Sequence, residues 1–186
     1  MNIVQKVRKI VEGAKYQKTN IYGVTGLNHI FLVANFARIL AQKRKADPEI
    51  AELAGLLHDY SCLMNKKYVD EHEVHSGRKA KEILTKLNYP QEKIDIIIDA
   101  IYCHRGSKKR PKKTIEARCL ADADAMAHFN SIPSLFYLAY VTYKIQDLKE
   151  AKKFVGEKLG RSWKKLSPDA KKIIKAQYEA AKIILK

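Results

Sequence analysis

The sequence predicts an all-α protein, a single-domain bundle of helices joined by short connections. Three observations predict it. Apolar residues recur at three- and four-residue spacing through most of the chain, alternating apolar–polar runs are absent, and most glycines and prolines fall between the periodic segments. The 186 residues suffice for one domain with a real core.

In chain order, residues 2–16 place Ile3, Val7, Ile10, Val11 and Ala14 at helical spacing, and a turn-rich stretch, TNIYGVTGLN, follows. His29 to Lys43 is strongly apolar and reads as an inner helix. Asp47-Pro48 reads as an N-cap with a first-turn proline, opening a helix through AELAGLLHDYS that is apolar almost all round and so central. Residues 66–87 form a charged helix, and Pro90 opens an isoleucine-rich one that ends at Tyr102-Cys103-His104. RGSKKRPKK is a basic loop, residues 114–129 return to helix, Pro133 opens an aromatic helix, and 147–186 holds two amphipathic helices split near Leu166-Ser167-Pro168. The motif-bearing core is expected over about 25–130 and a C-terminal helical part over 133–186, within one domain.

Composition narrows the function classes. With 46% hydrophobic and 30% charged residues this is not a disordered chain. No apolar run is read as approaching the ~20 residues of a membrane span, and the charged N-terminus lacks a signal core, so a cytoplasmic protein with no membrane partner is expected. Cys62, Cys103 and Cys119 form no CxxC pair and read as reduced thiols packed as small hydrophobes. No Gly-rich phosphate loop is present. The net charge of +16 invites phosphorylated substrates or nucleic acid, and equally serves solubility.

Candidate chemistry lies where ligand-type residues interrupt apolar helices. His58-Asp59 closes an apolar run, where an ionised carboxylate is costly unless it is paired or bound to a cation. A carboxylate beside a neutral imidazole suits a divalent metal; the plain alternative is that His58 only caps its helix. His29 opens a second apolar helix and Asp124 lies in a third. Asp122 and Asp124 project about 200° apart on that helix, so the two do not easily share one metal, and one of them could orient a ligating histidine from behind. Arg105, first in the basic loop with Lys108, Lys109, Arg110, Lys112 and Lys113, is the best-placed phosphate contact, with Arg78 and Lys79 as secondary candidates.

A histidine in NHIFLVANFA, a His-Asp pair in AGLLHDYS and a later aspartate in ADAM (123–126) together resemble the signature of the HD superfamily of metal-dependent phosphohydrolases. The resemblance covers about residues 25–130, selects Asp124 over Asp122, and implies that His29, His58, Asp59 and Asp124 hold the metal. In members with two metals, positions like His75 in HSGRKA and His104 in IYCHRG bind the second; Lys79 departs from the glycine such members often carry. The resemblance further implies one or two divalent ions (Mn, Fe, Co, Ni or Zn) and a phosphate-ester substrate, nucleotide or other small molecule. Asp59 or Asp122 would accept a proton, while His104 and Arg105 would neutralise phosphoryl charge. His72 and His128 are read as lacking a site role. Aromatics after residue 130, namely Phe136, Tyr137, Tyr140, Trp163 and Tyr178, are read as core before base pocket. Two rival functions fit the same residues: a di-iron oxygenase, and a basic nucleic-acid or nucleotide-binding module with a structural metal.

Overall fold

The computed structural model describes residues 1–186 except Ile21, Ser107, Lys109 and the side chain of Lys15, so the expectation for Lys109 lies outside the described residues. Among the described residues there is no strand, as expected, and one helical bundle is formed. Helix α1 (Ile3–Gly13) starts with a reciprocal cap: the Gln5 N–H donates to the Asn2 side chain at 2.9 Å, and the Asn2 N–H to the Gln5 side chain at 3.1 Å.

Helix α2 (Gly23–Lys43) begins earlier than its apolar pattern suggests. The Asn20 side-chain oxygen accepts from the N–H groups of Tyr22 (3.0 Å) and Gly23 (3.1 Å), and Gly23 takes a positive φ of 54°, which glycine tolerates. His29 therefore sits inside a helix rather than at its start. At 21 residues α2 is long and apolar enough to cross a bilayer by length and composition, contrary to the expectation that no run is. In the fold it packs along α3 and α7 with Ile30, Val33, Ala34, Ala37 and Leu40 buried.

Helix α3 (Pro48–Leu57) has the expected cap, the Asp47 side chain accepting from the Glu49 and Ile50 N–H groups at 2.9 and 3.2 Å. It meets α2 at unusually close range. A Cβ added to Gly55 would lie 2.5 Å from the Ala34 Cα, a backbone atom that cannot swing aside. Gly55→Ala is thus expected to cost about 1–3 kcal/mol by overpacking, read as a lower denaturant midpoint; an unchanged midpoint would contradict the close approach.

The helical path breaks at Asp59 (φ −116°, ψ 14°) and resumes in α4 (Tyr60–Met64). The charged segment is a short 3₁₀ turn (Lys66–Tyr68) followed by α5 (His72–Lys86), and α6 (Gln91–Cys103) follows. Helix α7 (Ile115–Asn130) is capped by Thr114, whose hydroxyl accepts from the Ala117 N–H at 3.1 Å. Helix α8 (Ile132–Tyr137) runs into a π-helical turn (Leu138–Thr142). The tail forms three helices rather than two: α9 (Leu148–Lys165), α10 (Pro168–Ile173) and α11 (Lys175–Ile184), with an extra break at buried Ile174 (φ −106°, ψ 21°). All three pack on α7. Three of the late aromatics, Phe136, Trp163 and Tyr178, pack against the core: Trp163 stacks on Tyr178 at 3.8 Å with Phe129 edge-on to both, while Tyr140, stacked on Phe136 at 6.2 Å, is exposed.

Candidate metal centre

The inner ends of α2, α3, α5, α6 and α7 meet at a cavity of about 710 Å³. His29 and Asp124 approach from α2 and α7, with His29 Nε2 3.4 Å from Asp124 Oδ1. The break after α3 delivers His58 and Asp59 together, His58 Nε2 lying 3.6 Å from Asp59 Oδ2. His72, the first residue of α5, and His104, just past α6, place their Nε2 atoms 3.4 and 3.8 Å from Asp59 Oδ1. His128, one turn beyond Asp124, stacks on His29 with ring centres 5.3 Å apart and comes within 4.0 Å of Asp124 Oδ1.

Hydrogen bonding fixes the tautomers of three of these rings. Nδ1 lies 2.8 Å from the Gly55 carbonyl in His58, 2.7 Å from the Val69 carbonyl in His72 and 2.6 Å from the Ile101 carbonyl in His104. A carbonyl only accepts, so each Nδ1 carries a proton and each ring turns its Nε2 inward. His58 Nε2 and Asp59 Oδ1 are buried with no hydrogen-bond partner, and the Nε2 atoms of His72 and His104 face each other at 3.3 Å. Ring nitrogens and carboxylate oxygens converging in this way form a site for a cation.

Electrostatics agrees. Burial pushes the His104 imidazole down to about 4, reinforced by His58, and it lowers His58 too despite the opposing pull of Asp59. Both rings are therefore neutral ligands near pH 7. Burial raises the carboxyl of Asp124, but Lys165 and His29 outweigh it and hold it well below the usual range. Lys165 Nζ donates to Asp124 Oδ2 at 2.9 Å, leaving Oδ1 toward the histidines. Candidate ligand atoms lie within 4.8 Å of one another in three groups: His29, His58 and Asp59; His29, Asp124 and His128; and Asp59, Cys62 and His72. The orphaned buried atoms and this nitrogen–oxygen donor set fit a divalent transition metal.

Of the residues singled out in sequence, the structure brings together His29, His58, Asp59, His104 and Asp124. It does not bring His75, whose ring packs on Tyr68 with centres 4.5 Å apart. His72 and Ser76, one turn apart on α5, face inward instead, and Ser76 Oγ meets Ser61 Oγ at 2.9 Å. Asp122 is also elsewhere, as its position about 200° around α7 dictates. It accepts from Arg44 at 2.6 Å and from the Ser167 N–H and hydroxyl at 2.9 and 2.6 Å, so it is neither proton acceptor nor ligand support. Arg105 borders the cavity, but its guanidinium is engaged by the Asp70 carbonyl and by fully buried Glu73 at 3.4 Å, with Arg110 on the other Glu73 oxygen at 3.6 Å. Through Nη1 it braces α5 at the cavity rim. Arg78 is exposed and Lys79 pairs with Glu82 at 2.7 Å.

The sequence reading missed His72 and His128, the Cys62 thiol at the cavity wall, and a basic wall contributed by α9. Four-residue spacing from Asp124 to His128 was a usable signal. So was Lys158, Arg161, Ser162, Lys165, which recurs as one helical stripe and lines the cavity.

Comparison with known proteins agrees with this geometry. A family model described as HD domain matches residues 26–128, over half of the chain. Similar curated proteins are named Ribonuclease Y. The one from a Nitratiruptor species is 31% identical over 122 residues, covering 66% of this chain and 21% of that protein. The one from Symbiobacterium thermophilum is 32% identical over 126 residues, covering 68% and 22%. The chain thus spans about a fifth of the length of these relatives. A crystal structure of a predicted HD superfamily hydrolase from an uncultured Thermotogales bacterium superposes with a TM-score of 0.59 at 20% identity, covering 86% of this chain and 87% of the other, and shares the fold. With the matched segment holding His29, the His58-Asp59 pair and Asp124 in the order they have in the fold, the chain belongs to the HD domain family.

Proposed function

We propose that the protein is a metal-dependent phosphohydrolase acting on a phosphate ester of the nucleotide class. The observation that carries this reading is the convergence of the His58 and His104 Nε2 atoms on the Asp59 carboxylate, whose Oδ1 is unpartnered, beside a cavity roomy enough for a nucleotide. His29, His58, Asp59 and Asp124 would hold the ion. When bound, a divalent cation supplies Lewis acidity, acidifying water and polarising a phosphoryl oxygen. Asp59 Oδ1, next to His72 and His104, is positioned to receive the proton. The apolar lining of Leu63, Ala127, Leu135 and Leu138, with Tyr22 and Tyr143, would exclude water and seat a base. The relatives named Ribonuclease Y favour a nucleotide or an RNA end over other phosphate esters.

The test is release of p-nitrophenol from mono- and diesters, and of phosphate from nucleoside monophosphates, with Mn, Co, Ni or Mg added. Metal-dependent turnover is expected, and the preferred ester assigns mono- or diesterase. No turnover on any of these, together with two bound irons and oxygen consumption, would replace this reading with an oxygenase.

A further inference from the structure

Helix α9 lines the cavity next to Asp124, and its inward face is cationic. Lys158, Arg161, Ser162 and Lys165 share that face. Two of them fasten the helix to the centre: Ser162 Oγ lies 2.9 Å from His128 Nδ1, and Lys165 Nζ donates to Asp124 Oδ2 at 2.9 Å. Arg161 sits at the mouth, more than half exposed, 3.8 Å from Glu157. Lys158 differs from all three. It is half-buried, lines the cavity, and among the described residues makes no hydrogen bond or ion pair, although Asp124 and Asp59 are among the charges acting on it.

We propose that Lys158 is a phosphate ligand: its ammonium takes a phosphoryl oxygen of a substrate seated in the cavity that Lys158, Asp59 and Asp124 line together. This rests on the phosphohydrolase reading. The charge balance favours an anionic partner there. Once a cation occupies the carboxylates, Lys158 loses their attraction and remains partly desolvated without a counter-ion. A phosphoryl group placed against the cation brings negative oxygens to it, in a cavity whose apolar lining strengthens the attraction. The two contacts that fix α9 hold this charge in place before substrate arrives. A lysine, as a compact point charge on a flexible stem, can follow a phosphoryl group as its geometry changes.

The test measures inorganic phosphate binding to the manganese-loaded full chain by calorimetry, alongside KM and kcat for p-nitrophenyl phosphate. Lys158→Met is expected to weaken phosphate binding about 10- to 100-fold, the loss of one charge-assisted hydrogen bond, and to raise KM. Lys158→Arg should retain most of the affinity. Lys153→Met, the same charge change on the exposed side of α9, should leave it unaltered. Should Lys158→Met fail to fold, Lys158→Gln carries the same comparison. Equal phosphate affinity in wild type and the uncharged variant, at equal manganese content, would overturn the proposal, as would a wild type that binds no phosphate. Ester turnover by the same wild-type preparation judges the phosphohydrolase reading separately.

Discussion

Replacing Asp59 by asparagine is expected to lower metal-dependent turnover by on the order of 10³-fold, because one change removes both a ligand charge and the proton acceptor. It should also stabilise the metal-free protein. Asp59 keeps an oxygen with no hydrogen-bond partner beside imidazoles that offer lone pairs, whereas an asparagine amide can donate to those nitrogens. The gain should be roughly 1 kcal/mol, or ~2–4 °C in melting temperature for a chain of this size. Adding manganese should raise the melting temperature of the wild type and leave the variant unmoved. An Asp59→Asn protein that keeps both turnover and metal stabilisation would mean that the cluster is structural.

Arg44→Met is expected to be the most damaging change outside the centre. Arg44, just past the end of α2, donates to Asp122 at 2.6 Å and to both oxygens of Asp169 at 2.8 and 2.9 Å, tying α2 to α7 and to the start of α10. The Asp122 side chain is only 8% exposed, so loss of the guanidinium leaves a buried carboxylate with Ser167 as its remaining support. A cost of about 3 kcal/mol follows, or ~6–12 °C. Arg44→Met/Asp122→Leu should recover much of it by removing the stranded charge as well. The pH dependence has a defined sign. Hydrogen bonds from Arg44 and Ser167 hold the Asp169 carboxyl well below its ordinary value. Its contribution is complete above the unfolded carboxylate pKa and is lost as pH falls through the folded one, so the gap between wild type and variant narrows in acid. Because Asp169 is half-exposed, salt should weaken that share. Equal stability of Arg44→Met and wild type would contradict this account of the network.

The fold class was legible because apolar spacing reports burial directly: α2, α3 and α7 are the apolar helices the pattern marks, and each buries much of its length. Their ends were less so. The start of α2 depends on the Asn20 side chain and the positive φ of Gly23, and the break at Ile174 lies inside a smooth apolar pattern. At the centre, His29, His58, Asp59 and Asp124 stood out as polar residues in apolar helices. The choice between His72 and His75 did not, since both are compatible with one face of α5 until the Tyr68 ring covers His75 and Ser61 draws Ser76 inward. Arg105 was placed by its basic loop, but its partner, the buried Glu73 that it shares with Arg110, was invisible in sequence. The basic stripe of α9 was hidden because its target is distant in sequence, Lys165 reaching back to Asp124 and Ser162 to His128.

The most direct test of the central claim is metal content by mass spectrometry on purified wild type and on His58→Ala/Asp59→Ala, paired with phosphate-ester turnover on the same samples. One or two equivalents of a divalent transition metal in the wild type, with turnover, and loss of both in the variant is the result expected. Wild-type protein without bound metal, and with the same properties as the variant after manganese is added, would contradict it.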